Sequence, residues 1–437
     1  MPISSFMGLQ SALSGLEANQ EAIQTTSNNI ANASTPGYTD EAAVMTENYA
    51  LTIPNGSGGV QLGTGVDVNT ISRASDQYLN NSYRAQNTVA SYASTESTTL
   101  GQVQSELNEP SSTGISSQLS AFWSSWSDLA NDPTGPTSQS ARQTVIDDGT
   151  TLAQGLNSLS DQLSSMQSQV AQQYSDLTGT GGELQSYANQ IATLNGDIAE
   201  AQQGGMNANQ LEDQRDQAIN NLSSLGTVSY SAAPNGELTV AFGGAATPLV
   251  SGTTVNWPPT ITSTPGGELG ALISLSGPGG QIDSYLTDLG NVAGALVSTV
   301  NNLSPGTPFF NPSDTTAATI AVAATASTIQ TTTTGNPGAN DVALAIAGLS
   351  GGQADQLYGA FVAQVGQDTQ TAQNNQQTSQ TLLTAINSQV QSVSGVSLDQ
   401  EMTNLLTYQQ GYEASAKVMT AMQSMLETLI TQVGAGL

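Results

Sequence analysis

Apolar residues recur seven apart at both ends of this chain, and that spacing limits what the chain can fold into. Leu9, Leu16, Ile23 and Ile30 form one series, with Phe6 and Leu13 on alternate seam positions and Gln20 and Ser27 leaving the later part polar. Leu398, Leu405, Tyr412, Met419, Leu426 and Val433 form the other, with Met402, Ala416 and Ile430 beside them. A repeat of 3.5 residues makes one narrow apolar stripe on a helix. Neither stripe has a partner in its own sequence neighbourhood, and such helices are marginal alone in water. The two ends are therefore expected to pair with each other or with other copies of the chain. Heptad stripes also line ordinary antiparallel bundles, and spacing alone leaves both arrangements open. Tyr408, Tyr412, Met419 and Met422 read as packing residues, not as a cofactor site.

Between the ends lie more helices with thin seams. The first helix should stop by Asn32-Ala33-Ser34-Thr35-Pro36-Gly37, because Pro and Gly break it. Thr39 to about Asp67 turns to short extended pieces with turns at Asn55-Gly56, Gly58-Gly59, Gly63 and Gly65. Asp76 to Asn108 steps by three and four through Leu79, Val89, Ala93, Leu100, Val103 and Leu107, which predicts a helix. Ile115, Leu119, Phe122, Trp123, Trp126 and Leu129 predict another, ended by Asn131-Asp132-Pro133. The longest signal starts near Thr137: Leu152, Leu156, Leu159, Leu163, Met166 and Val170 share one phase with Leu184, Tyr187, Ile191, Leu194 and Ile198. Held phase predicts one rod approaching ~100 Å, with a kink or break at Gly179-Thr180-Gly181-Gly182, since each Gly costs ~1 kcal/mol in a helix. Asn209 to Leu225 is a further helix, and Gln281 to Leu303 another.

From Gly226 the texture changes. Thr227-Val228-Ser229-Tyr230 and Leu238-Thr239-Val240-Ala241-Phe242 alternate as strands about Pro234-Asn235-Gly236, and residues 304–354 are Thr-, Ala-, Gly- and Pro-rich with weak strand signals. The expected fold is mainly α with a smaller β-rich domain: an elongated long-helix bundle with terminal coiled-coil helices. The expected domains are a terminal coiled coil (1–32 and 398–437), a long-helix domain (33–225, 266–303 and 355–397) and a β-rich outer domain (226–265 and 304–354).

Composition removes whole classes of function. Acidic residues number 34 against 5 basic ones, a formal net charge of −29 over 437 residues. The basic residues, Arg73, Arg84, Arg142, Arg215 and Lys417, are scattered and cannot neutralise a run of phosphates, so nucleic-acid binding is excluded as a main function. Anionic membrane surfaces are disfavoured likewise, and no apolar run is long enough for membrane insertion. With no histidine and no cysteine, Ser-His-Asp and Cys-His catalysis, His or Cys metal sites and disulfides are absent. The opening Met1-Pro2-Ile3-Ser4-Ser5-Phe6 lacks the basic and apolar regions of a cleaved Sec signal. Paired carboxylates remain as possible acid–base chemistry, but Asp147-Asp148 diverge on a helix, and Asp213, Arg215 and Asp216 suit a structural ion pair. Lys417, the only lysine, sits on the last amphipathic helix and reads as solvated. No catalytic residue, cofactor or metal is expected.

The stretch Asn28-Asn29-Ile30-Ala31-Asn32-Ala33-Ser34-Thr35-Pro36-Gly37-Tyr38 resembles the N-terminal signature of the flagellar rod, hook and hook-associated family, and Asn28, Asn29, Asn32, Thr35, Gly37 and Tyr38 carry it. Leu211-Glu212-Asp213-Gln214-Arg215-Asp216-Gln217, Gly267-Glu268-Leu269-Gly270-Ala271-Leu272, the tail Val393 to Met402 and Tyr408-Gln409-Gln410 are similar to the hook-associated members. The resemblance implies a secreted, extracellular structural protein, exported through the flagellar type III apparatus without a cleaved signal. It implies a self-assembled junction ring between hook and filament, built through the seam residues Phe6, Leu9, Leu13, Leu16, Ile23, Ile30, Leu398, Met402, Leu405, Tyr412, Met419, Leu426 and Ile430. Its partners would be copies of itself, the hook protein, a second junction protein or filament subunits, and an export chaperone on the C-terminal helices. The alternatives are a hook or distal-rod protein, a carboxylate-based hydrolase of cell-wall glycan, and an adhesin with a coiled-coil stalk. The excess of acid suggests an acidic exterior, where protonated carboxylates would no longer repel between like subunits.

Overall fold

The computed structural model describes residues 5–55, 58–135, 138–261, 264–334, 336 and 338–434. Residues 1–4 and 435–437 of the expected terminal spans, Gly56 of the expected turn and the side chain of Val433 lie outside the described set. The chain starts with α1 (Ser5–Asn32), stopped where Gly37 takes φ 82°. Two antiparallel pairs follow: β1 (Glu41–Glu47) with β4 (Val66–Arg73), bulged between Val44 and Met45, and β2 (Leu51–Asn55) with β3 (Gly58–Leu62). Asp76 caps α2 (Gln77–Leu107) by accepting from the amides of Tyr78 and Leu79, and Asn108 ends it in the left-handed region.

Next come α3 (Ile115–Asn131), α4 (Ser138–Thr178), α5 (Glu183–Gln203) and α6 (Asn209–Leu225). The expected rod is thus two helices. Gly181 adopts φ 83°, and a Cβ on Gly182 would meet the carbonyls of Asp176 and Leu177, so only glycine fits the break. The phase survives because both helices bury a stripe of the same period, but α5 buries its stripe against α6 and the neighbouring sheet.

That sheet is a four-stranded antiparallel meander of β5 (Val228–Ala232), β6 (Leu238–Phe242), β7 (Val250–Ser251) and β8 (Thr254–Val255). Leu238, Val240 and Phe242 point into the core, as their alternation requires. Then come α7 (Gly267–Ser276), α8 (Gln281–Leu303), α9 (Asp341–Ala347), α10 (Gln353–Ser394) and α11 (Leu398–Gly434). The periodicity did not reveal α7: Leu269, Ala271, Leu272 and Leu275 are all buried, so the helix has no polar stripe.

Residues 304–354 differ from the β-rich expectation. Their described residues hold α9, the first residues of α10 and one isolated bridge, Phe310 to Val322. The Thr-rich backbone satisfies itself in turns, with Ile320 N donating to Thr316 O and Ile329 N to Thr325 O. Phe309, Phe310, Ile320 and Ile329 pack into the helical core, which makes this segment part of the body's cover.

One continuous core joins α3, α4, α7, α8, the second half of α2 and the first half of α10. An aromatic knot sits within it: Phe122 and Trp126 each lie 5.4 Å from Phe309, centroid to centroid. Along α10 the buried residues change from Tyr358, Phe361 and Val365 to Thr369, Ala372 and Ser379. There the α2–α10 seam becomes polar, with Gln86 Nε2 donating to Ser379 O at 3.0 Å. The accessible surface is 22040 Å², against roughly 15,600 Å² for a compact globule of this mass. The molecule is elongated.

Candidate functional site

The two chain ends lie antiparallel, and small residues bring them together. A Cβ on Gly8 would strike the Met422 Cε, one on Gly15 would lie 3.0 Å from Ser415 Oγ, and one on Gly411 would meet Asn19. Every step up α1 is matched by an equal step down α11, so the register is constant. Ala12, Ala18, Ala22, Thr25, Thr26 and Asn29 are the buried residues of α1, and Glu401 that of α11.

The expected seam residues flank this contact. Leu9, Leu16, Ile23, Ile30, Leu405, Met419 and Leu426 are half-buried beside it. Leu13, Leu398 and Tyr412 are exposed, as are Phe6 at 68 %, Met402 at 51 % and Ile430 at 70 %. Leu406, Val418 and Met425, which the heptad reading passed over, are exposed as well. Glycines on one helix thus receive side chains of the other, Met422 over Gly8 and Asn19 over Gly411, while part of the large apolar set stays exposed. Periodicity located the greasy residues; Gly8, Gly15 and Gly411 were the missed signal for the direct contact.

The signature residues build the joint where this pair meets the body. Asn29 is fully buried and is its hub. Its Nδ2 donates to Asp40 Oδ1 (2.7 Å), the Glu41 carbonyl (2.7 Å) and Glu401 Oε2 (2.9 Å), while its Oδ1 accepts from Tyr38 OH (2.7 Å) and Glu41 N (3.1 Å). Asn28 Nδ2 donates to Tyr38 OH, Asn32 Nδ2 to the Asn28 carbonyl, and Thr35 Oγ1 to Asn32 Oδ1. A Cβ on Gly37 would lie 2.9 Å from Gln217 Oε1, so glycine permits both the turn and its approach to α6. Asp40 N donates to the Ser394 carbonyl at 2.8 Å, tying in the end of α10.

From the other side α6 supplies carboxylates. Asp213 accepts from Thr39 N (2.9 Å) and Thr39 Oγ1 (2.8 Å). Arg73 bridges Glu212 (2.9 Å), Asp213 (2.9 Å) and Asp216 (2.8 Å), and Arg84 binds Asp216 at 2.8 Å. Here the expected ion pair is corrected. Asp213 and Asp216 share a face and pair with Arg73 and Arg84, whereas Arg215 lies round the helix and donates to Asn195 Oδ1 (3.0 Å) and the Gly236 carbonyl (2.7 Å). Proximity in sequence does not make Arg215 the partner: the arginines that neutralise these carboxylates come from β4 and α2.

Electrostatics divide the joint. Burial, then Glu401, pushes the Asp40 carboxyl up to about 6. Burial raises Asp213 despite Thr39 and Arg73. Burial also acts to raise Asp216, but Arg84 and Arg73 outweigh it and hold that carboxyl below the usual range. Burial and the surrounding carboxylates push the Tyr38 phenol up. A polar cleft of about 360 Å³ opens beside the joint, lined by Asn32, Thr35, Tyr38, Gln190, Gln214 and Gln217 among others. Among the described residues no group of three or more carboxylates is placed to hold a metal, and no helix is long and apolar enough to cross a membrane.

Residues 100–260 match the family model described as the flagellar hook-associated protein FlgK helical domain. Residues 387–432 match the flagellar basal body rod FlgEFG protein C-terminal model, and residues 9–39 the flagella basal body rod protein model. The chain is similar to flagellar hook-associated protein 1 of Bacillus subtilis (strain 168), 36 % identical over 231 residues that make up 52 % of this chain and 44 % of that one. It is also similar to the protein of that name from Escherichia coli (strain K12), 27 % identical over 66 % of this chain and 51 % of that one. A third relative, from Salmonella typhimurium, is 30 % identical over 56 % of this chain and 42 % of its own length. The chain thus spans about half the length of the curated relatives it matches. A solved structure of the flagellar hook junction protein FlgK from Burkholderia pseudomallei aligns with a TM-score of 0.44 and 28 % identity, over 51 % of this chain and 43 % of that one.

Proposed function

On the premise of this similarity to flagellar hook-associated protein 1, within the flagellar rod, hook and hook-associated family, we propose that the chain is a structural subunit of the junction between hook and filament. It assembles with copies of itself into a ring through α1 and α11. The hook protein lies on one side of the ring, and a second junction protein or filament subunits on the other. The chain reaches that place by flagellar export, with a chaperone on the C-terminal helices beforehand. It acts by packing and not as an enzyme.

One observation carries the reading. The terminal pair approaches closely at Gly8, Gly15 and Gly411, and leaves Met402, Leu406, Met425 and Ile430 exposed. A long row of exposed large apolar residues on paired helices is costly unless further helices cover it. The match over residues 100–260 favours the junction over the hook or distal rod.

The test is a strain lacking the gene, complemented with the chain or with Met402→Glu/Leu406→Glu. Electron microscopy should show hooks without filaments in the deletion, with filament monomer in the medium, and filaments restored by the unaltered chain alone. Filament retention by the double variant at normal levels would remove the outer face from the mechanism.

A further inference from the structure

Four chain segments converge on Asn29: its own helix, residues 38–41, the end of α10 at Ser394 and the first turn of α11 at Glu401. Two of its acceptors are carboxylates, Asp40 Oδ1 and Glu401 Oε2, both bonded to the same nitrogen. One amide group has two protons, and here it serves three acceptors. Two ionised carboxylates facing each other across one nitrogen repel, and in a half-buried place little water screens them. A proton on Asp40 removes the repulsion.

The surrounding groups give only partial relief: a backbone hydrogen bond from Glu41 favours the charged form of Asp40, but burial and Glu401 outweigh it. Glu41 on β1 adds another carboxylate, Tyr38 offers a neutral phenol to Asn29, and Asn404 on α11 donates to the other oxygen of Glu401 at 2.9 Å. From α6 comes Asp213, held through Thr39, and the Arg73 of β4 is already engaged with Glu212, Asp213 and Asp216. No cation is bonded to Asp40 or Glu401 among the described residues.

We propose that Asp40, Asn29 and Glu401 form a protonation-controlled latch that sets how rigidly the α1–α11 pair is held against the body. With Asp40 protonated the latch is closed, and the pair leaves the body in one direction. With both ionised, the start of α11 is pushed from residues 38–41 and the pair swings about the short Gly395-Val396-Ser397 link. The position of the Asp40 titration places the change in mildly acidic solution. The sign is fixed by the raised value: the folded chain holds the proton more tightly than the unfolded one, so closure is favoured at low pH and lost as pH rises through about 6. The latch belongs to the single chain and does not depend on the junction reading.

The chain has no cysteine, so two can be introduced for spin labels without interference. Gln20→Cys on α1 and Thr98→Cys on α2 are both exposed. Pulsed electron–electron resonance on the full chain is expected to give one narrow distance at about pH 5 and a clearly broadened distribution at about pH 8. Asp40→Asn, which removes one charge, should keep the narrow distribution at both pH values. Glu401→Gln should do the same and stands in if Asp40→Asn fails to fold. A distribution that does not change with pH in the labelled parent, or broadens equally in both variants, overturns the latch.

Discussion

Asp216 shows how scarce positive charge organises this molecule. With 5 basic residues for 34 acidic ones, most carboxylates must face solvent, and the few that are buried compete for arginine. Asp216 binds both Arg73 and Arg84, and Arg84 is almost completely buried, with its guanidinium 4.9 Å from the centre of the Tyr230 ring. Asp216→Asn leaves that buried cation without a carboxylate and should cost about 3 kcal/mol, at the low end for breaking a buried pair because Asp216 itself is partly exposed. The loss has a pH signature. A carboxyl held below its ordinary value stabilises the fold above that value and stops doing so as pH falls through and below it. Urea denaturation should therefore show the full difference from the parent at pH 7 and a shrinking one below about pH 4. An equal difference at both would mean that the substitution acts through packing. Asp40 has the opposite sign: its contribution falls as pH rises from about 4 through 6, so the two carboxyls together place the joint's best pH near the ordinary carboxylate value of about 4.

At the scale of elements, the α1–α11 pair and the α2–α10 pair solve one problem in two ways. Between α2 and α10 the seam is apolar near the core and turns polar outward, where Gln86 and Gln376 reach across it. Between α1 and α11 glycines at Gly8, Gly15 and Gly411 let the opposite helix approach closely, and several large apolar residues of each helix remain exposed. Gly15→Leu should force α1 from Ser415 and unzip the pair while leaving the body intact. Hydrogen exchange would then show α1 and α11 losing protection, with α3, α4 and α8 unchanged. Protection retained along α1 would show that the pair has room there. Heptad spacing found both helices and their apolar sides. It could not say which side meets the partner chain segment, because a stripe of leucines and a stripe of glycines have the same period.

As a whole molecule the chain is long and negatively charged, and both properties bear on the proposed assembly. α10, with 42 residues, spans about 63 Å at 1.5 Å per residue. A compact chain of this length has a radius of gyration near ~22 Å. Small-angle scattering of the monomer should give a clearly larger value that persists in 0.5 M salt, because shape comes from the helices and not from charge repulsion. A value near that of a globule would contradict the extended arrangement. Like-charged subunits repel when packed side by side, so salt or mild acid should favour association.

The sequence alone determined the helical class, the breaks at Pro36-Gly37 and Gly179–Gly182 and the strand pair around Asn235-Gly236, because periodicity, turn chemistry and composition are local properties. It also settled that Arg73, Arg84, Arg142, Arg215 and Lys417 are the only cations available. Only the tertiary structure decided which of them meet Asp213 and Asp216, that Arg215 turns away to Asn195 and Gly236, that Asn29 gathers Asp40 and Glu401, and that residues 304–354 cover helices instead of forming a sheet. Those contacts join residues up to 372 positions apart. Their strength depends on burial and distance, and neither exists until the chain has closed on itself.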